Sequence, residues 1–137
     1  MNPQSPLVIT FALLICFQVK HFLCDYPLQT QFMLNKAKPD HWRYPLSLHA
    51  GVHALFTLAI LIAFEGIIAL VFYLAVIDFM VHFTVDRLKV NYSRGIPPSE
   101  PQFWYLLGLD QLAHHLTHYG IIAVMLFLCD DMHIPFT

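Results

Sequence analysis

The sequence predicts an all-α fold: a four-helix transmembrane bundle with a short interfacial helix between helices one and two. Three observations lead there. Of 137 residues, 58% are hydrophobic and only 12% are charged, about half the charge of an average soluble domain. The apolar residues fall in four blocks, each close to the roughly 20 residues that a membrane helix needs. All seven Lys and Arg lie on one side of the alternation that those blocks define. The length suits one domain, residues 1–137, and not two.

The first span covers about 6–24, with Gln18, Lys20 and His21 at its end. Residues 1–5 carry no basic n-region and no small-residue cleavage motif follows, so this block is expected to be a retained helix. The link 25–45 contains Pro27, Pro39 and Pro45. Within it, Leu28, Phe32 and Met33 recur near helical spacing and Pro27 suits a first turn, which predicts a short helix at the membrane interface. The second span covers about 46–64. Glu65 and Gly66 then make a link so short that the third span, about 67–85, must run back antiparallel. An irregular loop through 95–101 precedes the fourth span, about 105–128.

The basic residues set the direction. Lys20, Lys36, Lys38, Arg43, Arg87, Lys89 and Arg94 share one side, and the other carries only Glu65, Asp130 and Asp131. The positive-inside rule predicts a multi-pass protein of the inner (plasma) membrane, with basic loops cytoplasmic and both termini outside. Trp42, Tyr44, Tyr92, Trp104 and Tyr105 fall on the basic side, as an aromatic belt would. The expected partner is the lipid bilayer, with a homo-oligomer also compatible. A net charge of −2 gives no support for nucleic-acid binding. Cys16, Cys24 and Cys129 form no C-x-x-C pair, and Cys16 and Cys24 are expected to pack as small apolar residues.

The chemistry lies in the ionisable residues. Each span, or its end, carries a pair four residues apart: His21 and Asp25, His49 and His53, His82 and Asp86, Asp110 and His114. Positions i and i+4 share a helix face, so each pair points at one spot. Asp78 extends the third row back one turn and His118 extends the fourth row forward one turn, whereas His115 is rotated about 100° away. Spans one and three carry their pairs at the C-terminal end, and spans two and four near the N-terminal end. With alternating chain direction, all four pairs reach a similar depth near the cytoplasmic face.

Placing Asp at a membrane-helix centre costs about 2.5–3.5 kcal/mol, less near an end, so such groups satisfy one another, bind a metal or line water. Neutral imidazole with carboxylate is a ligand set for a divalent metal, zinc first and iron or manganese next. The eight paired residues exceed the needs of one tetrahedral zinc, which leaves two metals or a mixture of ligands and supporting groups. Gln29, Asp78, Lys89, Gln111 and His118 are candidates for the supporting role. The plainer alternatives are that Asp25 caps the interfacial helix, that Asp86 pairs on the surface with Arg87, Lys89 or Arg94, that Lys89 is a topology signal and that Lys20 snorkels to the interface. His41 and His133 are assigned no role.

The ordered set His21-Phe-Leu-Cys-Asp25-Tyr-Pro-Leu-Gln29-Thr with Lys36, His49-x-x-x-His53, His82-x-x-x-Asp86-x-x-Lys89 and Asp110-Gln111-x-x-His114 resembles domain-of-unknown-function family 3307, small bacterial and phage membrane proteins. The resemblance covers about residues 10–128. It supplies a pattern of site residues and no reaction. More loosely, the His/Asp spacing is similar to that of inner-membrane proteins labelled metal-dependent hydrolases. Three functions therefore stand open: a metal-dependent hydrolase of a lipid-like or lipid-linked substrate, a non-enzymatic ion- or proton-handling protein, and a structural membrane protein whose His/Asp cluster stabilises the bundle.

Overall fold

The computed structural model describes residues 5–64 and 66–131, without the side chains of 129–131. Glu65 and His133 lie outside the described residues, as do the side chains of Cys129, Asp130 and Asp131. Helix α1 spans Pro6–Asp25, with the Ser5 hydroxyl accepting from the Val8 amide at 3.3 Å and Pro6 in the first turn, where its missing N–H costs nothing. A turn through 26–28 leads to α2, Gln31–Leu34, and a 3-10 turn, Asn35–Ala37. Helix α3 spans Arg43–Ala63, α4 spans Ile68–Ser93 and α5 spans Pro101–Asp131.

The short helix between α1 and α3 begins later than the sequence suggested. Pro27 sits in the preceding turn, and the helix starts behind Thr30, whose hydroxyl caps the Met33 amide at 3.3 Å. An N-cap hydroxyl satisfies a free amide directly, which outweighs a proline's preference for the first turn. Helix α3 starts before residue 46, with Pro45 buried in its first turns. Helix α4 runs well past residue 85, because the charges that end its hydropathy, Asp86 and Lys89, have partners inside the protein.

The four long helices form a ring in which α1 packs on α3 and α5, and α4 packs on α3 and α5, with α2 and the 3-10 turn against α3. The α3–α4 turn is tight. The Gly66 amide donates to the Leu61 carbonyl at 3.0 Å, and a Cβ at Gly66 would lie 2.5 Å from Val71 Cγ2. Gly95 follows α4 with φ +80, a conformation that glycine adopts without strain.

Two layers fill the interior. One end holds Ile9, Leu13, Phe17, Leu61, Val71, Leu74, Ile121, Ile122 and Met125. The other end, where α1 and α4 finish and α3 and α5 begin, holds buried Lys20, five buried His from 21 to 114, His118, Thr57, Asp78, Asp86 and Asp110. Asp78 to Asp86 on α4 and Asp110 to His118 on α5 each rise through eight residue steps, so the polar layer is about 12 Å deep. The exterior is apolar: Leu7, Phe11, Ile15, Val19 and Phe22 make an exposed stripe along α1. Ionisable groups inside and large apolar side chains outside are the arrangement expected of a protein solvated by lipid. Helices α1, α3 and α4 are each long and apolar enough to cross a membrane. Helix α5 has the length, at 31 residues, but Asp110, Gln111, His114, His115 and His118 crowd its middle and leave the apolar run to the residues after them.

Candidate metal centre

The periodicity of the helices builds the site. Along α1, Leu13, Phe17, Lys20 and Cys24 are buried, and His21 lies beside them. On α3 the buried face carries His49, His53 and Thr57, on α4 it carries Asp78, His82 and Asp86, and on α5 Asp110, His114 and His118 are buried. These are the rows that four-residue spacing places on one stripe.

The side chains gather in three groups, within each of which one ligand atom per residue lies within 4.8 Å of the others: Asp25, His49 and His53; Asp86, Asp110 and His114; His21, His82 and His118. All eight paired residues are therefore brought into groups of possible ligands. His118, expected in support, stands in the third group. His82 is central, its ring centroid 3.8 Å from that of His53 and 4.0 Å from that of His114.

Two groups contain carboxylates, and their spacing is informative. Asp25 Oδ1 lies 3.2 Å from His53 Nε2 and 3.4 Å from His49 Nε2. His114 Nε2 lies 3.3 Å from Asp86 Oδ1 and 3.4 Å from Asp110 Oδ1. His49 Nε2 is also 3.4 Å from Asp86 Oδ2, so the two groups share an edge. The charged Lys–Asp pairs of this protein include Lys20 Nζ to Asp78 Oδ2 at 2.7 Å and Lys89 Nζ to Asp110 Oδ2 at 3.2 Å. The His–Asp separations, 3.2–3.4 Å, begin where that range ends. They match the edge of a tetrahedron, about 3.3 Å, drawn by ligands 2.0–2.1 Å from a common ion.

Outer contacts aim these carboxylates. Lys36, from the 3-10 turn, pairs with Asp86 Oδ2 and Lys89 pairs with Asp110 Oδ2 at 3.2 Å, which leaves both Oδ1 atoms facing His114. Asp86 is thus a buried group held by Lys36, not a surface partner of Arg87, Lys89 or Arg94. Lys89 contacts Asp110, beyond any value as a topology signal. Gln111 Nε2 donates to Asp110 Oδ2 at 3.1 Å, and its Oε1 is 3.1 Å from His21 Nε2. Gln29 donates to the backbone carbonyl of Asp25 and leaves its carboxylate free. Asp25 ends α1 and faces His21, His49 and His53 instead of capping α2, whose cap is Thr30. Partners of this kind fix the orientation of metal ligands.

The third group differs. Its members are imidazoles, and behind them lies Asp78, 3.2 Å from His82 Nδ1 and 3.6 Å from His118 Nε2. The Thr57 hydroxyl donates to Asp78 Oδ2 at 2.8 Å. Lys20, expected to snorkel outward, is instead turned inward. It is 2% exposed, and its ammonium reaches Asp78 at 2.7 Å and His118 Nε2 at 3.3 Å. An ammonium beside this group already supplies a positive charge, which opposes a second cation there. The carboxylate groups have three Asp against Lys36 and Lys89, a donor set that could hold a cation. Buried His21 Nδ1, His49 Nδ1 and Nε2, His53 Nδ1, His82 Nε2 and His114 Nδ1 have no hydrogen-bond partner, an unusual density of unsatisfied atoms. His115 is half-buried, its ring 5.5 Å from that of His21. His41 is exposed in the loop before α3, with φ 57.

Lys20 and Thr57 are the members that residue patterns did not reveal. Thr57 continues the four-residue row His49, His53 by one turn, and that row was the available signal. Lys20 adjoins His21 and looks the same in sequence whether its stem turns inward or outward.

Fold and site together define an all-helical protein with three helices fit to cross a membrane and an interior of His and Asp. The chain belongs to the family described as protein of unknown function (DUF3307), whose profile matches residues 13–134. No curated protein and no solved structure matches it.

Proposed function

We propose that this is a four-helix transmembrane protein, α5 included, that holds two divalent metal ions in the groups Asp25/His49/His53 and Asp86/Asp110/His114. The convergence of one ligand atom per residue to within 4.8 Å in each of these two groups, carboxylate and imidazole together, carries this proposal. Within each group the His–Asp separations of 3.2–3.4 Å fit ligands of one ion. The inclusion of α5 is supported by its place in the ring, where it closes the polar layer against α1 and α4. Zinc suits the donor set best, with iron or manganese next. The basic residues at this end of the helices support a cytoplasmic position for the site.

The reaction class that fits is hydrolysis of an ester or phosphoester in a lipid-like or lipid-linked substrate. A divalent metal there would supply a Lewis acid and a water of lowered pKa. The chain's own residues do the rest. Lys36 and Lys89 hold two carboxylates in their metal-facing orientation, and the all-imidazole group braces the floor. Asp25 is the most accessible of the three carboxylates, with its side chain 17% exposed against 7% for Asp86 and 3% for Asp110. Its Oδ1 faces His49 and His53, and its Oδ2 is the atom placed to take a proton from an incoming water. The ion-handling alternative is weakened by the apolar layer from Leu13 to Met125, which interrupts a polar path across the bundle.

Elemental analysis of detergent-purified protein tests the metal. About two equivalents of a transition metal are expected in the wild type, and about one in His53→Ala or His114→Ala. Folded protein without metal after supplementation with zinc, iron and manganese would rule the proposal out.

A further inference from the structure

The link between α1 and α3 builds a cavity that the metal centre does not use. It has a volume of about 880 Å³ and is walled by Phe32, Lys38, His41, Trp42, Arg43 and Tyr44, among others. Small-molecule sites usually measure about 300–1,000 Å³. Lys38 and Arg43 make the wall cationic against a single carboxylate, Asp40. Arg87 adds a third cation behind it, its guanidinium 3.7 Å from the centre of the Trp42 ring. Adjacent residues face opposite ways here: Asp86 turns to the metal centre and Arg87 to Trp42. Lys36 likewise reaches Asp86, whereas Asn35 and Lys38 line the cavity.

Below the cavity an apolar track continues. Trp42 packs on Phe83 and Phe83 stacks on Phe79, at centroid distances of 6.0 and 6.1 Å. Val76 and Phe72 follow on α4, both more than half exposed. Residues 83, 79, 76 and 72 recur at helical spacing on one face and descend about 16 Å along α4. The track starts at the aromatic and basic end of the bundle and runs towards its apolar middle.

We infer that this cavity and the track beneath it bind one anionic phospholipid. The phosphodiester headgroup sits between Lys38 and Arg43, and an acyl chain lies along Phe83, Phe79, Val76 and Phe72. The charge of the wall selects an anion, and the track selects an amphiphile over free phosphate. Basic residues beside aromatic rings at a helix end are the chemistry that recognises an anionic headgroup. The inference rests on placing the protein in a bilayer and is independent of the metal.

Trp42 reports on this site directly. The chain has two Trp, and Trp104→Phe leaves Trp42 as the single indole. In mixed micelles, phosphatidylglycerol brominated on its acyl chains is expected to quench Trp42 at lower lipid fraction than brominated phosphatidylcholine. Each basic residue should contribute roughly five-fold. Lys38→Ala with Arg43→Ala, both at exposed positions, should abolish the preference, and Lys38→Arg should retain it. Inorganic phosphate at matched ionic strength should leave the quenching by phosphatidylglycerol unchanged. Equal quenching by the two lipids overturns the inference, as does a preference that survives the double substitution. Displacement by inorganic phosphate overturns it in favour of a plain anion site. Resistance of the protein to alkaline carbonate extraction of membranes is measured alongside, so that failure of the bilayer placement is recognised separately.

Discussion

Replacing Lys20 by methionine should destabilise the protein more than almost any other single change. The ammonium lies 2.7 Å from Asp78 Oδ2, and the two side chains are 1% and 0% exposed. At that separation and an effective dielectric constant of 20, the direct attraction is about 6 kcal/mol. Much of it offsets the desolvation of both ions, so the pair itself adds little net stability. Breaking it is different, because Asp78 would remain charged and buried, at a cost of about 3–5 kcal/mol. Methionine conserves the volume of the lysine stem, so a cavity does not contribute. At roughly 4 °C per kcal/mol for a chain of this length, the melting temperature should fall by about 12–20 °C. Asp78→Asn should cost a similar amount by stranding Lys20. Lys20→Met with Asp78→Asn should return to within about 1–2 kcal/mol of the wild type, since the pair is replaced and not broken. The assay is thermal unfolding in detergent, followed by circular dichroism, for the wild type, both single variants and the double variant. A double variant as unstable as the sum of the singles, or a Lys20→Met loss below about 1 kcal/mol, would refute the reasoning.

Other expectations follow from the same geometry. Lys36→Ala, which frees Asp86 Oδ2, should weaken metal binding about 10- to 100-fold without removing a ligand, read by competition with a chromogenic chelator. Stripping the metal should lower the melting temperature, and restoring free zinc to 100 times its dissociation constant should return about 2.7 kcal/mol per site. Gly66→Ala should cost about 1–3 kcal/mol in unfolding experiments, because the new Cβ meets the buried Val71 side chain.

The fold and the core of the site were legible because helical periodicity is a local signal. Four-residue pairs on successive antiparallel helices can be placed at one depth by counting alone. What escaped depends on three-dimensional context. Nothing local distinguishes a lysine that reaches Asp78 from one that snorkels to the surface. The grouping of His21, His82 and His118 with one another depends on helix rotation within the ring, which sequence spacing does not set. Hydropathy ended α4 at residue 85 because it counts Asp86 and Lys89 as solvated, whereas Lys36 holds Asp86 inside the protein and Lys89 reaches in to buried Asp110. The start of α2 turned on one side-chain hydrogen bond from Thr30. Helix α5 was expected to match the other spans, but the histidines that build the site also reduce its apolar character.

The central claim is that His and Asp from all four helices hold two adjacent metal ions. X-ray absorption at the metal edge of the zinc-loaded protein tests it most directly. The geometry predicts a shell of nitrogen and oxygen only, at about 2.0–2.1 Å, with imidazole scattering. It also predicts a second metal at about 3.5–4 Å, lost in His53→Ala and in His114→Ala. A sulfur shell near 2.3 Å would place the metal on a cysteine instead. Such a shell, or a metal shell without imidazole, would contradict the claim.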